Sequence, residues 1–258
     1  MTTRKKGVFA PCVLLLVLVG FGRAQAAPIN YGDVDDIPPG AVMYLDVTES
    51  SVTDPGPLFG IPNVNLDDLD FDPMGFGASS TNGISDITDG QLNFGIMTLP
   101  GAGLTSLQFS ERGDYTLAGT GTGVTQVGAG IAVMIEILAV DGAALIQPLQ
   151  LFANASISQD LVSGGGQDVP WSLGLLIDLG AALTQNNIDY LEGVSKAKVV
   201  LDNTLFAISE QSSIALIVKK DFHVTPGGDL QPDVPEPSAL VLAALAAMSL
   251  VLRRRRAA

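Results

Sequence analysis

Cysteine is nearly missing from this chain. Its single example, Cys12, lies in an N-terminal segment expected to be removed, so hydrophobic burial and backbone pairing must hold the body together without a disulfide. The same absence excludes thiol catalysis and cysteine-bearing zinc sites. Histidine occurs once, at His223, which leaves Ser-His-Asp and Cys-His chemistry almost without material. Positive charge is scarce as well. Of thirteen Lys and Arg residues, eight sit at the two ends. Between residues 27 and 237 only Arg112, Lys196, Lys198, Lys219 and Lys220 stand against all 27 acidic residues, a formal charge of −22. Such a field repels nucleic acid, whose binding rests on cation contacts to phosphate, and opposes adsorption to anionic lipid. Divalent cations and neutral or cationic molecules are the partners it admits.

What is present at the ends is a pair of membrane-directed segments. Arg4, Lys5 and Lys6 precede an apolar run from Cys12 to Phe21, which closes on Ala24-Gln25-Ala26. A basic start, a short apolar stretch and small residues at the −3 and −1 positions read as a secretory signal peptide over residues 1–26, cut after Ala26 with Ala24 and Ala26 as the cleavage residues. The apolar run is too short for a permanent span, which needs about twenty residues. Cys12 precedes the run instead of following it, so it is not a lipidation site. At the other end, Pro235-Glu236-Pro237 leads into Ser238 to Leu252 and then Arg253, Arg254, Arg255 and Arg256. The 238–252 segment would be about 22 Å long as a helix. Snorkelling arginine stems and local thinning of the bilayer make up the shortfall against a hydrocarbon core of about 30 Å. Arginines on one side only place the tail in the cytoplasm and the body outside.

Pro-Glu-Pro, a short apolar helix and a terminal arginine cluster, in that order after a signal peptide, resemble the sorting signal of PEP-CTERM proteins over roughly residues 233–256. The resemblance implies that Pro235, Glu236 and Pro237 are read by an exosortase, a membrane-embedded processing enzyme of exopolysaccharide-producing Gram-negative bacteria. It also implies that the helix and arginines hold the site at membrane depth until cleavage. The body is similar to other precursors of this family that share a Tyr-Gly-Asp start and a Lys-Lys-Asp-Phe finish, here Tyr31-Gly32-Asp33 and Lys219-Lys220-Asp221-Phe222. The family it points to has no settled activity.

Between the ends, period-two alternation recurs where helical periodicity does not. Leu92, Phe94 and Ile96 share one phase, as do Leu107 and Phe109, Tyr115 and Leu117, and Ile214, Leu216 and Val218. Turn chemistry separates these runs at Asp54-Pro55-Gly56-Pro57, Asp72-Pro73, Asn82-Gly83, Asp89-Gly90, Asp141-Gly142 and Gly164-Gly165-Gly166. The expected fold is all-β, a β-sandwich of jelly-roll type over residues 27–225. Residues 124–155 read as two long strands buried on at least one face and joined at Asp141-Gly142. One helix is expected at Gly180 to Leu191, and residues 226–234 read as a flexible stalk presenting the sorting motif.

Candidate chemistry is sparse, and no catalytic residue is singled out. His223 reads as a solvated edge residue. Paired carboxylates could hydrolyse a glycosidic bond, but the acidic residues offer no pair distinguished by sequence. The run Asp67 to Asp72 is the sharpest local feature. As a strand it would place Asp68, Asp70 and Asp72 on one face, with Asp86 and Asp89 near in sequence. Hard oxygens at that density suit calcium, which takes about six to eight of them, although neither the glycine nor the glutamate of an EF-hand loop is in place. Solvated charges that discourage strand-to-strand aggregation explain the same residues without an ion. Trp171, Tyr31, Tyr44, Tyr115 and Tyr190 are the Trp and Tyr residues that could stack on sugar, with core packing the competing role. The reading is therefore a non-catalytic cell-surface or extracellular matrix protein associated with exopolysaccharide, with no resident metal. A carbohydrate- or calcium-binding β-sandwich module is the alternative, and a glycoside hydrolase the third.

Overall fold

The alternation in the sequence becomes an inside and an outside in the computed structural model, which describes residues 27–35 and 40–230. Its twelve strands are β1 (Ile29–Val34), β2 (Val42–Ser50), β3 (Asn63–Asn65), β4 (Asp68–Phe71), β5 (Gly77–Thr81), β6 (Ser85–Thr98), β7 (Gly103–Gly119), β8 (Gln126–Val140), β9 (Ala143–Asp160), β10 (Gly166–Asp178), β11 (Val194–Ile208) and β12 (Ser213–Asp229). Two short helices, α1 (Leu161–Gly164) and α2 (Leu179–Gln185), flank β10. In β7, Leu107, Phe109, Tyr115 and Leu117 are buried while Gln108 and Arg112 face out, as a period of two requires.

Pairing is antiparallel throughout and nested. β8 pairs β9, β7 pairs β10, β6 pairs β11 and β5 pairs β12. Rolling that long ribbon up brings alternate pairs into the same sheet, giving β5–β12–β7–β10 on one side and β6–β11–β8–β9 on the other. This is the jelly-roll order. β4 shares the outer edge of β12 with β5, and β3 lies beyond β4. β2 and β1 extend the second sheet past β6. The two sheets meet in one ladder pair, Val194 with Leu104.

The turns are built by the residues that announced them. Asp141 and Gly142 both take positive φ, +49° and +75°, as a tight β8–β9 hairpin needs. The Asp141 carboxylate then accepts from the backbone N–H groups of Leu191, Glu192 and Gly193 at 2.7–2.9 Å. Burial pushes that carboxyl up, yet the three donors outweigh it and hold it below its ordinary value. Asn82 and Gly83, at +55° and +90°, turn β5 into β6 in the same way.

Four aromatic rings, Phe59, Phe71, Phe76 and Phe222, pack mostly edge to face in the core with centroids 5.1–6.0 Å apart. A bulge at Lys220 interrupts the β12–β7 register, so Lys219 and Phe222 both point inward although three positions apart.

Three expectations are corrected here. The helix expected at Gly180 to Leu191 runs only from Leu179 to Gln185. Asp178 caps its start by accepting from the Ala181 N–H, and Asn187 leaves the helical region at φ +56°. β9 buries no residue fully, because it is a sheet edge and its inward side chains Leu149, Leu151 and Ile157 are covered from one side alone. β12 continues to Asp229, with Pro226 and Gly227 opposite Leu107 and Ser106, so the first part of the expected stalk is strand. The signal segment 1–26 and the tag 235–256, with its 238–252 helix, lie outside the described residues. Among those described, no helix is long and apolar enough to cross a membrane.

Leu201 points into the core at zero exposure, while Lys198 on the same strand points outward. Leu201→Ala is expected to cost about 2–5 kcal/mol of stability and Lys198→Ala no more than about 0.5 kcal/mol, read as denaturant midpoints by circular dichroism.

Candidate functional site

The outward face of β6–β11–β8–β9 is ordered in rows, because β11 pairs both its neighbours without a register slip from Ala197 to Ile208. One row reads Asn93, Val200, Met134, Phe152, and the next reads Gln91, Asp202, Ala132, Asn154. A third holds Asp89, Thr204, Gly130 and Ser156. Small residues on β8 leave a shallow depression of about 320 Å³ lined by Gln91, Ala132, Met134, Phe152, Asn154 and Asp202. Phe152 is 73% exposed, its ring an apolar plate in a surface of amides, hydroxyls and carboxylates. That combination matches a sugar ring, whose C–H face packs on an aromatic while its hydroxyls meet amide and carboxylate groups. Asp89 and Asp202 sit side by side on this face. Desolvation and then the hydrogen bond and charge of Asp202 push the Asp89 carboxyl up to about 6.

On the opposite sheet, the outward face gathers charge. Asp70 of β4 stands beside His223 of β12, with Asp221 two residues back on the same face and Arg112 across on β7. His223 Nδ1 lies 3.2 Å from Asp70 Oδ1 and Nε2 lies 2.5 Å from Asp221 Oδ1. These are ion-pair distances, although neither oxygen meets hydrogen-bond geometry. Asp221 Oδ2 is held by the Arg112 guanidinium. Burial pushes the Asp70 carboxyl up against the pull of His223. A depression of about 340 Å³ opens here over Ser110, Ser172 and Gly174. A serine–histidine relay needs one ring nitrogen on the hydroxyl and the other on a carboxylate. Both nitrogens of His223 face carboxylates, so neither is aimed at Ser110 or Ser172.

The family model for the PEP-CTERM protein-sorting motif matches residues 233–256. The chain carries a PEP-CTERM sorting motif. The motif implies export, a C-terminal membrane anchor before cleavage, processing by an exosortase and an extracellular end location. No curated protein matches the chain. Among solved structures, TmCBM61 in complex with beta-1,4-galactotriose is 10% identical over 62% of this chain and 70% of its own, with a TM-score of 0.22. The infectious bursal disease virus VP2 subviral particle is 13% identical over 83% and 58%, with a TM-score of 0.14. Superpositions this weak carry no argument about ligand.

Pro235, Glu236, Pro237 and Arg253 to Arg256 of the PEP-CTERM motif, like Ala24 and Ala26, lie outside the described residues. Of the calcium candidates, Asp68 and Asp70 share one face of β4 with Asp72 near enough to act on Asp70, while Asp86 and Asp89 are held elsewhere. Asp86 accepts from the Ser79 N–H, Asp89 lies on the other sheet beside Asp202, and Asp67 is spent at a turn accepting from Val42 N. Among the described residues, the one set of three or more His, Cys, Asp and Glu ligand atoms within 4.8 Å is Asp70, Asp221 and His223. A mixed imidazole–carboxylate set differs from the all-oxygen cage of calcium. His223 is not a solvated edge residue, because β12 is interior to its sheet and Asp70 arrives from a distant strand. The Asp-x-His spacing could have shown that Asp221 and His223 share a face.

The aromatic candidates are mostly committed to the fold. Trp171 is buried with Nε1 donating to the Val218 carbonyl at 3.1 Å. Tyr44 and Tyr115 donate to the carbonyls of Asp67 and Gly164, and Tyr31 to Glu49 at 2.7 Å. Tyr190 packs against the core. Phe152 was missed because its surroundings are apolar in sequence. Its phase, shared with Gln150, Asn154 and Ser156, marks it as outward.

The raised Asp89 value means that the fold favours the protonated form. This contribution stabilises at low pH and is lost as pH rises from the ordinary 3.8 to about 6. Asp89→Asn is therefore expected to raise Tm near neutral pH, with the gap over wild type closing below about pH 4.

Proposed function

We propose that the folded body is a non-catalytic protein of the cell surface or extracellular matrix, released from its membrane tag by an exosortase and held in exopolysaccharide by the sheet face around Phe152. The exposed Phe152 ring beside Gln91, Asn154 and Asp202 carries the reading. The sorting motif supports it, because it implies an extracellular end location for the folded body. A formal charge of −22 over residues 27–237 favours a neutral or cationic sugar over an acidic one. Arg253 to Arg256 hold the Pro-Glu-Pro site at the membrane before cleavage, and no resident metal ion is needed.

Two measurements test the two halves of this reading. In the producing cell, Glu236→Ala is expected to leave full-length protein in the membrane fraction where the wild type is recovered shortened outside. Identical size and location for both would overturn processing at this site. In a pull-down with the cell's own polysaccharide, Phe152→Ala is expected to weaken binding about tenfold at unchanged Tm, with chelator making no difference and no sugar released. Wild-type protein that shows no saturable binding defeats the second half.

A further inference from the structure

The centre of the apolar core holds three polar side chains from three strands: Glu111 of β7, Asn203 of β11 and Lys219 of β12, none more than 3% exposed. Lys219 Nζ lies 2.5 Å from Glu111 Oε2 and donates to Asn203 Oδ1. Asn203 Nδ2 donates to the same Glu111 oxygen at 2.6 Å. Amine, amide and carboxyl thus form a closed triangle. The rings of Phe59, Phe76 and Phe222 surround Nζ at 5.3, 4.2 and 5.5 Å from their centroids, which shuts water out. Glu111 Oε1 is buried with no hydrogen-bond partner, an oxygen free to take a proton.

As a plain ion pair this arrangement is costly, since desolvating two charges commonly exceeds their attraction. As reactants it is well arranged. Burial pushes the Lys219 ammonium down to about 8 against the pull of Glu111, so that the neutral amine is accessible. A neutral amine is a nucleophile, and here it rests against the oxygen of an amide, one bond from the carbonyl carbon. Contact held by a packed core removes the entropic cost of bringing the two groups together. Asn203 donates to Glu111 through the nitrogen that would have to leave, so one carboxyl touches both ends of the proton's route.

We propose that Lys219 and Asn203 become joined by an intramolecular isopeptide bond, with Glu111 as the catalytic acid and base. The Nζ lone pair attacks Cγ of Asn203, and Glu111 takes a proton from Nζ and delivers it to Nδ2. The C–N bond to Nδ2 breaks and ammonia departs. An amine and a primary amide become a secondary amide and ammonia, with no oxidant, reductant or added reagent. The bond ties β11 of one sheet to β12 of the other through the core, in an exported body without a disulfide. It also pins the strand that leads towards the sorting tag.

Mass spectrometry of the full-length protein, purified in detergent, decides the matter. Asn203 and Lys219 fall in one tryptic segment bounded by Lys198 and Lys220. The joined form resists cleavage after Lys219, giving a peptide from Val199 to Lys220 lighter than its sequence by one ammonia. Further cleavage after Glu210 leaves its two halves attached. Glu111→Gln is expected to restore the sequence mass and ordinary cleavage and to lower Tm by roughly 5–10 °C. Wild-type protein that trypsin cuts after Lys219, with the 199–219 peptide at its sequence mass, overturns the proposal whether or not the variant folds.

Discussion

Strand register is the constraint on which the rest of this molecule depends. β11 pairs β6 on one side and β8 on the other, residue for residue from Ala197 to Ile208, and β9 continues the rows at the sheet edge. Successive side chains alternate faces, so a slip of one position would exchange the two sides of a strand. In β11 that slip would carry Asn203 out of the core and bring Asp202 into it. In β9 it would turn Phe152 inward. The buried triangle and the exposed platform are two faces of one registration. The tight turns at Asp141-Gly142 and Asn82-Gly83 pin it at the strand ends.

The core that this register encloses is mostly apolar, and Glu111, Asn203 and Lys219 are among its buried polar exceptions. Burying a lysine and a glutamate together is an expense that most domains avoid, and replacing such a pair by apolar side chains is often neutral or stabilising. The aromatic rings around Lys219 recover part of the cost through cation–π attraction. The Lys220 bulge is what admits the arrangement, since without it Lys219 and Phe222 could not both face inward. Conversion of amine and amide to a neutral linkage would remove the ammonium charge from this interior.

The outward faces divide the remaining chemistry. One sheet presents a nearly uncharged stretch of β9 beside amides and small residues. The other gathers Asp70, Asp221, His223 and Arg112, with Asp221 paired to the Arg112 guanidinium. In a body of formal charge −22, Arg112 compensates one of these carboxylates, Asp221. The face around Phe152 is better suited to a neutral partner.

What the sequence determined by itself was local in origin. The basic, apolar and small-residue order at the N-terminus, the Pro-Glu-Pro, apolar and arginine order at the C-terminus, the turns at Asn-Gly and Asp-Gly, the strand phases and the burial of Trp171 all follow from neighbours within a few residues. The nesting of the strand runs expected from them became a jelly roll. Tertiary structure alone decided what depended on distant partners. Glu111 and Asn203 are 92 positions apart, and although alternation puts each on the inward face of its strand, nothing near either one marks the other as its partner. His223 looked solvated because Asp70 reaches it from another strand. Asp86 and Asp89 look close to Asp70 along the chain but are carried elsewhere by the hairpins between them. Alternation tells which face of a strand a side chain occupies, and it says nothing of which strand will lie beside it.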